Sequence, residues 1–316
     1  MTEKKTALYH AHVSLGARMV PFGGFLMPVH YSGIISEHQA TRHGAAVFDT
    51  CHMGEFRIYG DRAVADMEKL LSCSVADLGI GRCRYGFLCN EQGGVIDDQI
   101  LYRLDEEVFM MVVNAETQDR DFAWVAGHLS AETRIENLSV ETVKVDLQGP
   151  GVPRIMQRLV QEPIADITYF GFRHVQYGGK RILISRTAYT GEIGFEIYGD
   201  VATGTRFWED CLSEGALPAG LGARDTLRME MGFPLYGSEL TADRNAAESG
   251  LERAIADKPF IGSAIVRDPS LLNQRLVVLE LEGRRAARAH DKIADPGGEL
   301  LGEVTSGGFA PSLGRS

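Results

Sequence analysis

The first sustained helical pattern covers residues 34–45, where apolar positions recur near helical spacing and Ser36 and Glu37 come early. Gly54-Glu-Phe-Arg-Ile-Tyr59 then reads as a short strand. The period changes again after it. Val64, Met67, Leu70 and Leu71 fall at i, i+3, i+6 and i+7, an apolar stripe on a helix over 61–71 with Asp61 as its N-cap. Strand-like runs at 87–89 and 95–104 flank Asn90-Glu-Gln-Gly-Gly94, whose turn residues predict a hairpin. A strand follows over 107–113, then a helix over 115–129 behind Asn114. Strands over 133–138 and 140–147 lead to Gly149-Pro150-Gly151, which opens a helix to Val160. Two strands between 180 and 197 flank Thr190-Gly191-Glu192 as a second hairpin, and helices are predicted over 205–212 and 223–231. Short strand runs at 276–281 and 299–304 predict a small β unit from about residue 274. Hairpins interleaved with helices, in place of regular β-α-β repeats, point to an α+β fold.

Composition narrows the function classes. The 316 residues allow two or three domains, and 44% hydrophobic with 24% charged residues is globular composition. Thirty-two Lys+Arg against 43 Asp+Glu give a net charge of −11, the opposite of what a phosphate-neutralising nucleic-acid reader needs. Apolar runs such as 108–113 are far shorter than a bilayer span, so no membrane partner is expected. The opening MTEKKTALYHAH lacks the apolar core of a signal peptide, and a cytoplasmic location is expected. Five cysteines without C-x-x-C spacing argue for reduced thiols, and the nine histidines do not cluster at ligand spacing, so no metal site is expected.

Three segments carry candidate chemistry. Asp97 and Asp98 lie within the otherwise apolar strand 95–102, so only one of them can face a given pocket. One of the two is either a hairpin residue accepting turn amides or a carboxylate lining a cleft. Strand parity groups Tyr102 with Asp98. Tyr189-Thr-Gly-Glu-Ile-Gly-Phe-Glu196 sets an aromatic and a carboxylate at the two ends of a glycine-framed hairpin, a pairing that suits a planar heterocycle. Arg224 and Arg228, four apart on one helix, share a face and serve either surface carboxylates or an anionic ligand.

Together these segments resemble a known family: aminomethyltransferase, the T-protein of the glycine cleavage system. The matching stretches include Gly16-Ala-Arg-Met-Val-Pro-Phe-Gly-Gly24, Ala46-Val-Phe-Asp49 with His52-Met53, Gly93-Gly-Val-Ile-Asp-Asp98, and Val113-Asn114-Ala115. They continue with Tyr189-Thr-Gly-Glu192, Gly220-Leu-Gly-Ala-Arg-Asp-Thr-Leu-Arg228, Leu235-Tyr236-Gly237 and Val304-Thr-Ser-Gly307. The resemblance implies a three-domain α+β cloverleaf with mixed and antiparallel sheets around a central tetrahydrofolate site. Residues 1–50 with 140–245 would form a discontinuous folate-binding domain, 51–139 a second α+β domain, and 274–316 a C-terminal β-barrel-like domain left incomplete. It implies transfer of a methylene unit from the aminomethyl-lipoyl arm of H-protein, a transient partner, to tetrahydrofolate as cosubstrate. The products would be 5,10-methylenetetrahydrofolate, ammonia and the reduced lipoyl arm. Asp97 then matches the key carboxylate beside the reacting folate nitrogens, and Glu196 the carboxylate that grips the pterin, with Tyr189 packing nearby. Asn114, Tyr102 and Tyr169 would form the cleft wall, and one of Arg224 and Arg228 would contact folate.

Two departures from the family pattern stand out. Cys51 precedes His52 where the family commonly has Ser, a neutral exchange on this reading. The chain also stops at Ser316, where family members continue for several dozen residues, so strand edges of the last domain are expected to stay unpaired. The rival functions are a folate-dependent demethylase acting on another donor and a non-catalytic folate-binding protein.

Overall fold

The structure is a computed structural model that describes residues 3–282 and 285–316. Five antiparallel strands form a sheet of order β6-β7-β8-β5-β9: Cys83–Cys89 (β6), Val95–Asp105 (β7), Val108–Val113 (β8), Gly54–Tyr59 (β5) and Arg134–Asn137 (β9). A six-stranded sheet has the order β11-β12-β13-β10-β4-β14, built from Phe172–Tyr177 (β11), Lys180–Ser185 (β12), Gly194–Asp200 (β13), Thr142–Gln148 (β10), Ala46–Asp49 (β4) and Leu217–Ala219 (β14). Its one parallel pair is β14 with β4. Lys4–Lys5 (β1), Arg18–Phe22 (β2) and Phe25–His30 (β3) form a small third sheet, and α1 (Tyr9–Ser14) lies between its first two strands in sequence.

Each large sheet is covered by helices on one side. Met67 and Leu70 of α3 (Ala63–Leu70) and Val125 of α4 (Gln118–His128) pack on Phe56, Ile58, Leu101 and Met111 of the five-stranded sheet. Ile155 of α5 (Val152–Leu159) and Phe207 and Trp208 of α6 (Val201–Ser213) pack on Val143, Val145 and Leu147 of the six-stranded sheet. Phe207 and Trp208 are fully buried, and each such side chain stabilises the fold by roughly 1.5–3 kcal/mol. The opposite faces of the two sheets meet. Tyr102, Met110 and Val112 of the first sheet pack against Phe172, Leu183 and Tyr198 of the second.

Beside this junction Ala223 and Leu227 of α7 (Leu221–Glu230) pack on Ala46 and Phe48 of the six-stranded sheet, and α2 (Ile34–His43) lies against α7. Glu37 of α2 ties the region together: its carboxylate accepts the backbone N–H groups of Tyr31, Ser32, Gly33 and Gly220. A Cβ at Gly220 would meet the backbone of Pro28 and Val29 at 2.5–2.6 Å, so the chain approaches too closely there for any other residue.

Three local expectations differ from the structure. Helix α3 begins at Ala63 with Arg62 as N-cap, and the free amide of Val64 goes to the Glu107 carboxylate, so Asp61 is not needed as a cap. Helix α4 begins at Gln118 because the Thr117 hydroxyl bonds Asp97 and the Asn114 carbonyl. The run 276–281 forms no strand. Its ends bond to Glu248 and Ser316, but no neighbour offers it a ladder, and Val277, Val278 and Leu279 stay exposed. Among the described residues of 274–316 the regular structure is a two-stranded antiparallel pair, Lys292–Ala294 (β15) with Leu300–Glu303 (β16), which does not close into a barrel.

Candidate active site

Strand register decides which acid faces the junction between the sheets. Asp98 lies opposite Phe87, Ile100 opposite Val112, and Tyr102 opposite Cys83 and Met110. Side chains alternate along a strand, so Asp98, Ile100 and Tyr102 share the face that meets the second sheet. Asp97 and Leu101 point the other way, toward α3 and α4. The structure therefore does not bring Asp97 into the junction. It is fully buried, and its carboxylate accepts the Asn114 backbone N–H, the Asn114 amide and the Thr117 hydroxyl.

Asp98 stays partly exposed, accepting the Tyr85 hydroxyl at 3.1 Å and the Asn114 amide at 2.8 Å. Burial first, and then the charge of Asp97, push its carboxyl up to about 7. A carboxyl with that value exchanges protons readily at neutral pH. Tyr85 also lines a cavity of about 420 Å3, together with Cys83, Phe170, Leu251 and Arg82.

Across the junction the second sheet presents a charged row. Lys144 and Asp146 alternate with Val143 and Val145 along β10, so the polar members face the first sheet while the valines face α6. Glu196 on β13 lies opposite Asp146 on one side and Ser185 on the other. Lys144 Nζ, almost fully buried, donates to Asp146 at 2.6 Å, to Glu196 at 2.9 Å and to the Thr50 hydroxyl at 3.1 Å. Asp146 is held below the usual carboxylate range: burial opposes this, but Lys144 and then Arg224 outweigh it. The second Glu196 oxygen accepts the hydroxyls of Thr187, Tyr102 and Tyr198, and the two tyrosyl oxygens are 3.0 Å apart. Tyr102 thus bridges the two sheets.

The remaining sequence candidates divide. Arg224 joins the cluster, donating to Asp146 at 2.7 Å with its guanidinium 4.9 Å from the centre of the Tyr189 ring. Tyr189 stacks on Phe233 and donates to the Pro234 carbonyl. Arg228 faces elsewhere: it bonds Asp225, Glu239, the Phe233 carbonyl and Ser306, which pins the loop after α7. Tyr169 is exposed beside Phe170. Asn114 connects Asp97 to Asp98 through one side-chain amide.

Sequence reasoning passed over Lys144, Asp146, Tyr85 and Tyr198. The signal for two of them was available, since Thr142, Lys144, Asp146 and Gln148 are polar on one face of a strand whose other face is apolar. Cys51 is buried beside the Lys144 carbonyl, and burial, followed by the charge of Asp49, pushes its thiol well up, so it is no nucleophile at neutral pH. Among the described residues no group of three or more His, Cys, Asp or Glu is placed to hold a metal ion. Among the same residues no helix is long and apolar enough to cross a membrane.

Comparison with known proteins gives this geometry a family. Residues 8–258 match the GCVT N-terminal domain. Relatives named aminomethyltransferase include one from Geobacillus kaustophilus, 39% identical over 99% of this chain and 88% of the relative. Another, from Desulfitobacterium hafniense, is 41% identical over 100% of this chain and 89% of the relative. The crystal structure of glycine cleavage system aminomethyltransferase T from Bartonella henselae superposes with a TM-score of 0.91 at 33% identity, covering 99% of this chain and 88% of that one. The chain, with its paired carboxylates at a sheet–sheet junction, belongs to the aminomethyltransferase family of the glycine cleavage system.

Proposed function

We propose that this chain moves a methylene unit from the aminomethyl group on the lipoyl arm of H-protein to tetrahydrofolate, with Asp98 as the proton acceptor at the reacting folate nitrogens. The single observation that supports this most is an acid on each of the two sheets that meet: Asp98, bonded by Tyr85 and Asn114 on the face that also carries Tyr102, and Glu196, bonded by Tyr102 and Lys144.

The donor carbon is bonded to sulfur and to an amine. A folate nitrogen attacks it, the amine leaves as ammonia, and the second nitrogen displaces the sulfur. Two N–H protons are lost from the folate, and they end on the ammonia and the thiol. Asp98 takes up such a proton as each new C–N bond forms and passes it to the departing group. Holding the two nitrogens against the methylene is the other contribution, because positioning alone removes much of the barrier in a bimolecular transfer.

Glu196 suits the donor edge of a pterin, yet its oxygens are already served by Lys144, Thr187 and two tyrosyl hydroxyls. A carboxylate has about four acceptor positions, so a pterin N–H displaces one tyrosyl hydroxyl from Glu196. The 3.0 Å approach of Tyr102 and Tyr198 lets the displaced hydroxyl turn to its neighbour. Lys144 stays bonded to Glu196, and Arg224 and Tyr189 form the adjoining wall. Asp97 supports this site from behind, through Asn114.

The test is ammonia release from aminomethylated H-protein in the presence of tetrahydrofolate. Asp98→Asn is expected to lower kcat by about 10²–10⁴, and the wild-type rate to rise with pH through about 7 as Asp98 loses its proton. A folded wild type that binds tetrahydrofolate but releases no ammonia would sink the proposal.

A further inference from the structure

Behind Asp98 lies a second acid that the transfer itself does not use, and a third beyond it. Asp121, at the start of α4, is fully buried, and no nitrogen or hydroxyl of the described residues donates to either of its oxygens. The nearest cation is Arg120, whose Nε is 3.7 Å away. Arg120 is half exposed and gives its terminal nitrogen to the Ile96 carbonyl and the Tyr236 hydroxyl. Asp121 lies one helical turn beyond Thr117, whose hydroxyl bonds Asp97, so the two buried carboxyls stand close to each other. Two bare carboxylates in one buried pocket repel strongly, so such a pair holds one proton between its members.

Asp97 has three further partners, all of them donors: the Asn114 backbone N–H at 2.9 Å, the Asn114 side-chain amide at 2.8 Å and the Thr117 hydroxyl at 2.9 Å. The Asn114 amide has two hydrogens. One goes to Asp97, the other to Asp98, each at 2.8 Å. Asn114 therefore cannot turn toward or away from Asp98 without breaking its bond to Asp97.

We infer that Asp97 and Asp121 form a proton-sharing carboxyl pair that clamps Asn114 and sets the negative charge standing behind Asp98, which makes both of them positioning residues for the transfer. The inference rests on the reading of Asp98 as proton acceptor. The directions agree with the geometry: burial, and then the mutual charge of the two groups, push Asp97 up, and burial pushes Asp121 up to about 6. The groups around Asp98 are Tyr85, Tyr189, Asn114 and Asp97, and those around the pair are Arg120, Tyr236 and Thr117. Both tyrosines near Asp98 are pushed up by burial and stay neutral, which leaves the carboxyl pair as the charge that tunes it.

The deciding measurement is the pH profile of kcat for ammonia release, with tetrahydrofolate binding and circular dichroism as folding controls. Asp97→Asn removes the charge behind Asp98, and the acid limb moves down by about one pH unit, the size expected for a like charge a few ångströms away. Asp121→Asn supplies an amide donor to Asp97 and leaves the full charge on it, so the limb moves up. Should Asp97→Asn fail to fold, the upward shift in Asp121→Asn carries the test. Folded variants whose acid limb stays at the wild-type pH, whatever their kcat, overturn the inference. The underlying reading fails separately: it is lost if Asp98→Asn keeps wild-type activity, whereas an inactive Asp98→Asn with unmoved limbs in the other two removes only the carboxyl pair.

Discussion

Lys144→Met tests the charged row on which Glu196 depends. The wild-type ammonium sits between Asp146 and Glu196 at 2.6 and 2.9 Å, with all three side chains essentially buried. Methionine fills similar space and removes the charge. Asp146 keeps Arg224 at 2.7 Å and the Thr50 hydroxyl at 2.9 Å, whereas Glu196 keeps only hydroxyl donors. Breaking a buried pair by deleting one partner costs about 3–5 kcal/mol, and the retained Arg224 places this case toward the lower end. Loss of the cation also raises the folded-state value of Asp146, which Lys144 helps to depress. In the wild type Asp146 is depressed, so its contribution is fully present above the ordinary carboxylate range and is lost only as pH falls through its lower folded value. Over the range from about pH 5.5 to about pH 8 that contribution is constant. In the variant the folded state binds protons that the unfolded chain has released, so its stability falls as pH rises. The assay is urea unfolding of both proteins at the two ends of that range, followed by fluorescence of Trp124 and Trp208. The expected loss is about 3 kcal/mol or more at the alkaline end. At the acid end the loss is expected to be smaller, because a buried carboxylate stripped of its cation takes up a proton there. A loss that is equal at the two pH values, or below about 1 kcal/mol at the alkaline end, would refute the buried-pair reasoning.

Further outcomes follow from single contacts. Gly94→Ala places a methyl 1.8 Å from the Ala242 carbonyl oxygen, a backbone atom that cannot swing aside, so it is expected to destabilise by about 3 kcal/mol; an unchanged urea midpoint would count against it. All five cysteines are buried, with burial pushing Cys73 up to about 11 and Cys83 and Cys89 to about 12. A disulfide reagent at mildly alkaline pH should therefore leave the folded protein unlabelled over minutes and reach all five thiols in urea; rapid labelling of Cys51 with loss of turnover would show that thiol to be reactive after all.

Much of the fold was legible because its signals are local. The 54–59 strand, the hairpin around Asn90–Gly94 and the α3 stripe rest on alternation, turn chemistry and helical period, and each element lies within a few residues of its expected bounds. Short elements such as β4 and β14, four and three residues long, carry too few positions for any period to register. The run 276–281 shows the reverse failure, since apolar β-branched residues form a strand only when a neighbour supplies the ladder. The site itself was half legible. Strand parity placed Tyr102 with Asp98, and the structure keeps that pairing on one face, whereas the family resemblance pointed to Asp97. The polar face that carries Lys144 and Asp146 shows in the alternation of the strand, but such a face reads as solvated. Only the arrival of a second sheet turns the polar face of β10 into an interior.

The Tyr102–Tyr198 contact spans the two large sheets, and the acids that would hold a ligand come one from each. A molecule that engages Asp98 and Glu196 together therefore fastens one half of the protein to the other. By mass action, ligand at about a hundred times its Kd adds about 2.7 kcal/mol to the folded state. Differences of that size change how much of a protein survives proteolysis in a cell. The protein is then expected to resist proteolysis better with such a ligand bound than without it.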